Sequence, residues 1–245
     1  MRENKQRWAC AYLLCALGCF QKKWSHTHPE NSFLELGAKK IINGMDYTVA
    51  MQRAIALAEK GLGKTAPNPI VGAVIIDSTG SIIAEGFHDR MNSADHAEVV
   101  AIKAAADKAK GSTIVVTLEP CNHSGSTGPC VQAIITAGIS TVVFAVNDPN
   151  EKAAGGAAAL RAAGITVIEG VMQDEAAFSN RAWLMKIRKN RPFFTWKVAA
   201  TLDGKVAAAD GTSQWITNEA SRADVQQLRR QADAILVGTN TVIAD

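Results

Sequence analysis

The order of hydrophobic and polar positions predicts alternating strands and helices from residue 46 onward. Short runs rich in β-branched residues predict five strands, and apolar positions with a helical period predict the helices between them. The predicted strands are Val71–Asp77, Ser81–Glu85, Thr113–Leu118, Thr141–Val146 and Ile165–Glu169. The predicted helices are Asp46–Lys60, His96 to about Lys110, Cys130 to near Gly138, Ala157–Ala163 and Asp174 to about Lys189. This alternation is typical of an α/β sheet with helices on both faces.

A second region begins after Asn190-Arg191-Pro192, which we predict to be a domain boundary. Residues 193–200 alternate and predict a strand, residues 202–205 predict a tight turn, and residues 213–217 predict a loop before a capped helix. A second strand is predicted after that helix. These elements are too few to close a further α/β domain, so we expect residues 191–245 to be only the opening fragment of one.

The first 44 residues are predicted to be an extension outside both domains. The apolar run Trp8–Phe20 follows basic residues as in a secretory signal, but it is too short to span a membrane and lacks a clean small-residue cleavage site. We expect residues 1–44 to be disordered or not native, with Met45 as the natural start. A genuine export signal is the alternative.

Composition and charge limit the classes of binding partner that we expect. The 245-residue chain has a net charge of +3 and no basic stripe interleaved with aromatic residues, which does not favour a nucleic-acid surface. Its five cysteines are an odd number, so no disulfide framework is implied. We therefore expect a cytoplasmic homo-oligomer that acts on a small phosphorylated molecule, without membrane or nucleic-acid partners.

Two short motifs carry the candidate chemistry. His96-Ala97-Glu98 supplies an imidazole and a carboxylate, and Cys121 and Cys130 supply two thiolates. One imidazole and two thiolates fill three corners of a tetrahedral zinc ion and leave the fourth for water, as catalytic zinc sites require. Zinc lowers the pKa of that water, and a glutamate in the H-x-E arrangement is not a ligand but moves protons. The combination predicts a hydrolytic zinc deaminase with Glu98 as its catalytic residue.

The spacing of Cys121 and Cys130 departs from the common P-C-x-x-C pattern, because nine positions separate them. We expect the second thiolate to return to the metal through a glycine-bearing loop that also reaches over the substrate. Taken singly, each motif has an ordinary explanation, since H-x-E occurs by chance and free cysteine is a common core residue. His123, in this loop, is equally consistent with a substrate contact and with a solvated side chain.

Further segments extend the pattern beyond the metal ligands. They are Thr117-Leu118-Glu119-Pro120-Cys121-Asn122-His123, the loop ending in Pro129-Cys130, Asp148-Pro149-Asn150, and Pro67-Asn68-Pro69-Ile70-Val71-Gly72-Ala73-Val74. With the second region, these segments resemble the RibD family of bifunctional riboflavin-biosynthesis deaminase/reductases. The resemblance implies a cytidine-deaminase-like three-layer α/β/α sandwich over residues 45–190, followed by the beginning of a dihydrofolate-reductase-like α/β domain over residues 191–245.

For the second domain, the resemblance implies NADPH as the cofactor of the reductase. The positions that line the NADP site of the family match Ala199, Trp215, Thr241 and Asp245. The positions that contact the reductase substrate match Ser213 and Arg229. Without the resemblance, Trp215 would be a core aromatic and Arg229 a solvated helix position. Because we expect an incomplete reductase, we do not expect reductase activity from this chain.

For the first domain, we predict substrate contacts from Asn68, His88, Asp148 and Asn150. Asp148-Pro149-Asn150 is equally consistent with a simple turn. The resemblance implies zinc-dependent deamination of 2,5-diamino-6-ribosylamino-4(3H)-pyrimidinone 5′-phosphate to 5-amino-6-(5-phosphoribosylamino)uracil. In the full-length family, NADPH then reduces the ribose of this product to a ribityl chain.

Two alternatives stay open. Another zinc deaminase would act on cytidine, dCMP, guanine or tRNA adenosine, although the long cysteine loop and the reductase-like second region argue against it. The second alternative is a non-catalytic zinc-binding module. For such a module, replacement of Glu98 would change nothing, whereas the enzyme hypothesis predicts loss of turnover with zinc retained.

Overall fold

The computed structural model describes residues 41–42, 45–123 and 128–244. Of these, the residues up to Phe193 form one compact unit, and those from Phe194 onward belong to another. Except for residues 41–42, the predicted N-terminal extension lies outside the described part of the chain. Among the helices that the structure describes, none is long and apolar enough to cross a membrane.

The first unit is built around a five-stranded mixed sheet. Its strands are β3 (Gly72–Ile76), β4 (Ile82–Phe87), β5 (Thr113–Leu118), β6 (Thr141–Val146) and β7 (Thr166–Glu169), while β1 (Ile41–Ile42) and β2 (Met45–Asp46) form a separate antiparallel pair. The order in the sheet is β4-β3-β5-β6-β7. β3 is antiparallel to β4 and β5, and β5, β6 and β7 are parallel. All five strands predicted for this unit are confirmed.

Helices cover both faces of this sheet. They are α1 (Thr48–Glu59), α2 (Ala97–Ala105), α3 (Cys130–Thr136), α4 (Gly156–Ala162), α5 (Gln173–Ser179) and α6 (Arg181–Lys189). Ala73 and Ile75 of β3 belong to the core that contains residues of α2, α3 and α4, whereas Val74 and Ile76 belong to the core that contains residues of α1, α5 and α6. Since both faces of the central strands are buried, most residues of these strands are apolar. The predicted three-layer α/β/α sandwich is confirmed.

The helix that follows His96 ends earlier than predicted. It runs to Ala105 instead of Lys110, because Ala106 adopts a positive φ of 49° and a 3-10 turn covers Ala106–Ala109. An alanine-rich sequence has no residue that marks such a stop. The turn brings the chain to the start of β5.

The single helix predicted over residues 174–189 is instead two helices that meet at Asn180. The Asn180 side chain is buried and bonds the backbone of Ile70. Its Oδ1 accepts from the Ile70 N–H at 3.1 Å, and its Nδ2 donates to the Ile70 carbonyl at 2.7 Å. The break therefore satisfies two buried backbone groups that no strand partner reaches.

The second unit contains two helices, α7 (Glu219–Gln231) and α8 (Thr239–Ala244), in its described residues. The predicted turn is confirmed: the Gly204 N–H donates to the Thr201 carbonyl at 2.9 Å, and Gly204 has a φ of +78°. The predicted helix cap is also confirmed, because Asn218 Oδ1 accepts from the Ser221 N–H at 2.8 Å.

The two strands predicted in the second unit are wrong. Residues 193–200 form no strand, and neither do residues 232–238 after α7. A strand is stable only when its backbone groups pair with a neighbouring strand. The described residues from Phe194 onward offer no such neighbour, so an alternating pattern alone does not produce a sheet there.

Candidate active site

The three predicted metal ligands come together in the first unit. His96 Nδ1 lies 3.6 Å from Cys121 Sγ and 3.3 Å from Cys130 Sγ, and the three ligand atoms all lie within 4.8 Å of one another. In a tetrahedral zinc site with ordinary Zn–N and Zn–S bonds, neighbouring ligand atoms are roughly 3.5–3.8 Å apart. The donor set and its separations therefore fit zinc.

Two of the ligands lie at the N-terminal ends of helices. His96 directly precedes α2, and Cys130 is the first residue of α3. The backbone N–H groups at a helix start lack intrahelical partners, and the helix dipole favours negative charge there. One of them, the Cys130 N–H, donates to Cys121 Sγ at 3.5 Å. The fold thus stabilises thiolate at the metal site.

The protonation states of the ligands are linked through short contacts. The Cys130 thiol donates a hydrogen bond to Cys121 Sγ. This bond, together with hydrogen bonds from His96 and from the Cys130 backbone N–H, lowers the pKa of Cys121 to about 4. The same contact with Cys121, together with burial, raises the pKa of Cys130. Contact with Cys121 also raises the pKa of His96. Because zinc-bound cysteines are thiolates, zinc binding would displace the proton that Cys130 retains.

Glu98 lies in the first turn of α2, two residues after His96, and its side chain is 3% exposed. Burial raises its pKa to about 7, although the neighbouring His96 charge opposes the shift. A carboxyl group with a pKa near neutrality takes up and releases protons readily at physiological pH. This is the property required of a proton shuttle.

Glu98 and two of the candidate metal ligands, His96 and Cys121, open onto one cavity of about 530 Å³. The four predicted substrate contacts of this unit line the same cavity, together with His123. Those four are Asn68, His88, Asp148 and Asn150. Burial raises the pKa of Asp148 and lowers that of His88. The structure therefore brings the four residues together around the metal ligands, and their contacts with substrate stay a prediction.

Sequence reasoning did not assign a role to Glu119, which directly precedes Pro120. Its buried carboxylate accepts from the Asp148 N–H at 3.1 Å and from the Ala157 N–H at 2.9 Å. It thereby ties the loop after β6, and the start of α4, to the segment that carries Cys121. An acidic residue directly after a mostly apolar strand was the available signal, because buried carboxylates need partners.

Arg90 was also missed by sequence reasoning. It is exposed and lines the same cavity as His96 and Glu98. A guanidinium group suits bidentate recognition of phosphate. The only indication of this in the sequence was that Arg90 lies two residues after His88, a predicted substrate contact.

The residues predicted for the reductase lie on separate segments of the second unit. Ser213 and Trp215 belong to an exposed loop, Arg229 to α7 and Thr241 to α8, while Ala199 is half-buried in a segment without regular structure. Trp215 is 65% exposed, so it is not a core aromatic, and its ring stacks 4.5 Å from the Arg222 guanidinium. Asp245 lies outside the described residues.

Two family models match the chain. Residues 45–146 match the cytidine and deoxycytidylate deaminase zinc-binding region, and residues 192–245 match the RibD C-terminal domain. The first match covers four of the five strands of the sheet, β3 to β6, and the His-Cys-Cys site. Fold and site therefore define a zinc-binding deaminase domain of the cytidine and deoxycytidylate type.

Similarity to curated proteins indicates a particular family within this class of deaminases. The chain is 52% identical to the riboflavin biosynthesis protein RibD of Mycobacterium tuberculosis (strain H37Rv), covering 80% of the chain and 58% of that protein. It is 48% identical to RibD of Escherichia coli K12, covering 80% of the chain and 53% of that protein. Over four fifths of its length the chain is therefore similar to the RibD family, which confirms the resemblance found from its motifs. It spans a little over half the length of the curated relatives it matches.

Solved structures agree with this assignment. A diaminohydroxyphosphoribosylaminopyrimidine deaminase/5-amino-6-(5-phosphoribosylamino)uracil reductase from Thermotoga maritima is 46% identical and superposes with a TM-score of 0.75, covering 81% of this chain and 57% of that one. RibD of Acinetobacter baumannii is 45% identical, with a TM-score of 0.72 over 81% of this chain and 55% of that one.

Proposed function

We propose that the first unit is a zinc-dependent deaminase of riboflavin biosynthesis. Its substrate would be 2,5-diamino-6-ribosylamino-4(3H)-pyrimidinone 5′-phosphate, and its products 5-amino-6-(5-phosphoribosylamino)uracil and ammonia. The observation that carries the proposal is that His96, Cys121 and Cys130 lie at zinc-ligand separations, and that His96, Cys121 and the buried Glu98 line one cavity. The RibD relatives supply the substrate class.

His96, Cys121 and Cys130 would hold the metal. When bound, zinc supplies a Lewis acid and a water whose pKa is close to neutrality. Glu98 would take a proton from the attacking water and deliver protons to the ring nitrogen and to the departing amine. Its pKa of about 7 suits transfer in both directions. In the net reaction, water replaces the C–NH₂ group by a carbonyl and ammonia leaves.

The remaining cavity groups fit a ribotide. Arg90 offers an exposed cationic group to the 5′-phosphate. Asp148 and Asn150 offer polar atoms to the ribose or the ring, and a raised pKa lets Asp148 act as a donor more readily than an exposed carboxylate. The cavity volume of about 530 Å³ lies in the range of small-molecule sites.

Ammonia release tests the substrate assignment. Zinc-loaded full-length chain would be incubated with the diaminopyrimidinone ribotide and, in parallel, with cytidine, dCMP, guanine and a tRNA that carries the target adenosine. We expect turnover of the ribotide at least a hundredfold above the other substrates. Preference for another substrate would place the chain with the other zinc deaminases, and zinc binding without any turnover would favour the non-catalytic module.

For the second unit, the match to the RibD C-terminal domain implies NADPH-dependent reduction in that half of the family. Ala199, Trp215 and Thr241 lie on separate segments without a sheet between them, so they do not form a nucleotide cradle. We therefore derive no reaction step through NADPH in this chain. Location in the cytoplasm and assembly as a homo-oligomer belong to the proposal. The location is supported by two free thiols in the predicted zinc site.

A further inference from the structure

His88 is a buried imidazole whose two ring nitrogens both face protein groups. Its Nδ1 lies 3.1 Å from the backbone carbonyl oxygen of Asp95, and its Nε2 lies 3.4 Å from Nδ2 of Asn68. The side chain is 4% exposed and meets the ring of His96 edge-on, with 5.2 Å between ring centroids. With both nitrogens engaged, His88 has little capacity left for a direct hydrogen bond to substrate.

The partners of His88 decide which nitrogen carries the proton. A carbonyl oxygen only accepts, so Nδ1 must be the N–H that donates to Asp95. The Asn68 amide nitrogen, which only donates, lies 3.4 Å from Nε2, so Nε2 is the ring nitrogen that presents a lone pair. Only the amide NH₂ of Asn68 satisfies that lone pair. The amide oxygen Oδ1 must therefore point away from the imidazole.

We propose that His88 is a positioning residue that fixes the amide of Asn68, so that Asn68 Oδ1 accepts a hydrogen bond from an N–H donor of the aminopyrimidine substrate. The proposal rests on the deaminase function proposed above. Asn68 lines the same cavity as His96 and Glu98, and an aminopyrimidine carries several N–H donors. Without the imidazole, the amide is free to turn over and to present its NH₂ group to those donors instead.

Two substitutions separate the roles of the two ring nitrogens. In His88→Asn the new amide nitrogen replaces Nδ1, but the acceptor for Asn68 is lost. In His88→Gln the new amide oxygen replaces the Nε2 acceptor. With zinc-loaded full-length chain, we expect His88→Asn to raise KM about tenfold, the effect of one misoriented hydrogen bond, and His88→Gln to raise it less than threefold. Both variants keep one zinc per chain.

A double-mutant cycle tests whether His88 acts through Asn68. In an Asn68→Ala background, His88→Asn should raise KM less than twofold further. If the two substitutions raise KM by factors that multiply in the double variant, the proposal is overturned, because His88 would then act independently of Asn68. Loss of zinc from His88→Asn would also overturn it, since His88 would then support the metal site.

Nitrogen NMR on zinc-loaded protein labelled with ¹⁵N-histidine gives a readout that needs no substrate. We expect His88 to be the tautomer with hydrogen on Nδ1, in both the wild type and Asn68→Ala. A hydrogen on Nε2 would overturn the proposal even if the enzyme turns over. Conversely, a wild type without activity on the ribotide contradicts the proposed function, while the tautomer measurement still decides the orientation of Asn68.

Discussion

In the first unit, all five residues of β3 are buried, whereas in the second unit Phe194, Trp196 and Leu236 are between 63% and 94% exposed. Both regions have the apolar patterns from which strands were predicted. The difference is that β3 lies between β4 and β5, which pair with its backbone, while no strand lies among the described residues of the second unit. A hydrophobic pattern therefore predicts a strand reliably only when partner strands are also present.

The contrast extends to the functional residues. His96, Cys121 and Cys130 are attached to elements that pack on the sheet, and they converge within 4.8 Å. Trp215 and Thr241 are attached to an exposed loop and an exposed helix, and no described strand of the second unit joins those segments. We therefore expect catalytic activity only from the first unit, where the sheet fixes the positions of the functional side chains.

Removal of a zinc ligand should produce the largest contrast between the units. Cys130→Ala leaves two ligands, so we expect zinc content near zero and a deaminase rate at least a thousandfold lower. Trp215→Ala, the matched change in the second unit, should alter neither quantity. Metal analysis and ammonia release measure both variants. A Cys130→Ala protein with full zinc content would contradict the proposed ligand set.

Limited trypsin digestion should distinguish the units next. Cleavage after Lys205 and Arg229 should precede any cleavage between residues 48 and 189 by at least about tenfold in rate, because segments with few buried contacts open locally. Mass spectrometry of timed samples identifies the order of the cuts. Equal resistance of the second unit would show that it folds independently, contrary to its exposed apolar side chains.

Substitution of a closely packed glycine should affect the first unit only. A Cβ at Gly156 would lie 1.9 Å from the carbonyl oxygen of Pro120, next to the ligand Cys121. We expect Gly156→Ala to lower the free energy of unfolding by about 3 kcal/mol, an overpacking cost, and to weaken zinc binding. Gly238→Ala should do neither, because its nearest neighbour would be 3.9 Å away. Urea denaturation and chelator competition test the pair, and similar losses in both variants would refute this packing argument.

The smallest effect in the series concerns two asparagines. Asn180→Leu leaves the N–H and carbonyl of Ile70 without their buried partner, so we expect a loss of about 2 kcal/mol in the free energy of unfolding. Asn218→Ala removes the cap of α7 and should leave the main unfolding transition unchanged. Denaturant titration followed by tryptophan fluorescence and circular dichroism compares them. An unchanged midpoint for Asn180→Leu would show that water replaces the lost bonds.

Much of the first unit follows from local sequence patterns. Strands β5 and β6 have the predicted bounds because each is a β-branched run buried on both faces. That His96, Cys121 and Cys130 lie close together was also predictable, since zinc chemistry requires those residue types in that order; their roles and that of Glu98 stay predictions.

What the sequence did not reveal depends on distant contacts. The break at Asn180 serves Ile70, which is 110 positions away, and Glu119 holds Ala157 across 38 positions. No local pattern records such partners. The two missing strands of the second unit have the same physical origin, because strand formation depends on neighbours that local periodicity does not specify.

The central claim is that a buried carboxylate next to a His-Cys-Cys zinc site makes the first unit a deaminase. The most direct test compares wild type and Glu98→Gln for ammonia release from the diaminopyrimidinone ribotide, with zinc content measured on the same samples. We predict that the variant keeps one zinc per chain and loses activity by a factor of about 10²–10⁴, the usual contribution of a general acid–base group. Full activity in Glu98→Gln would contradict the account.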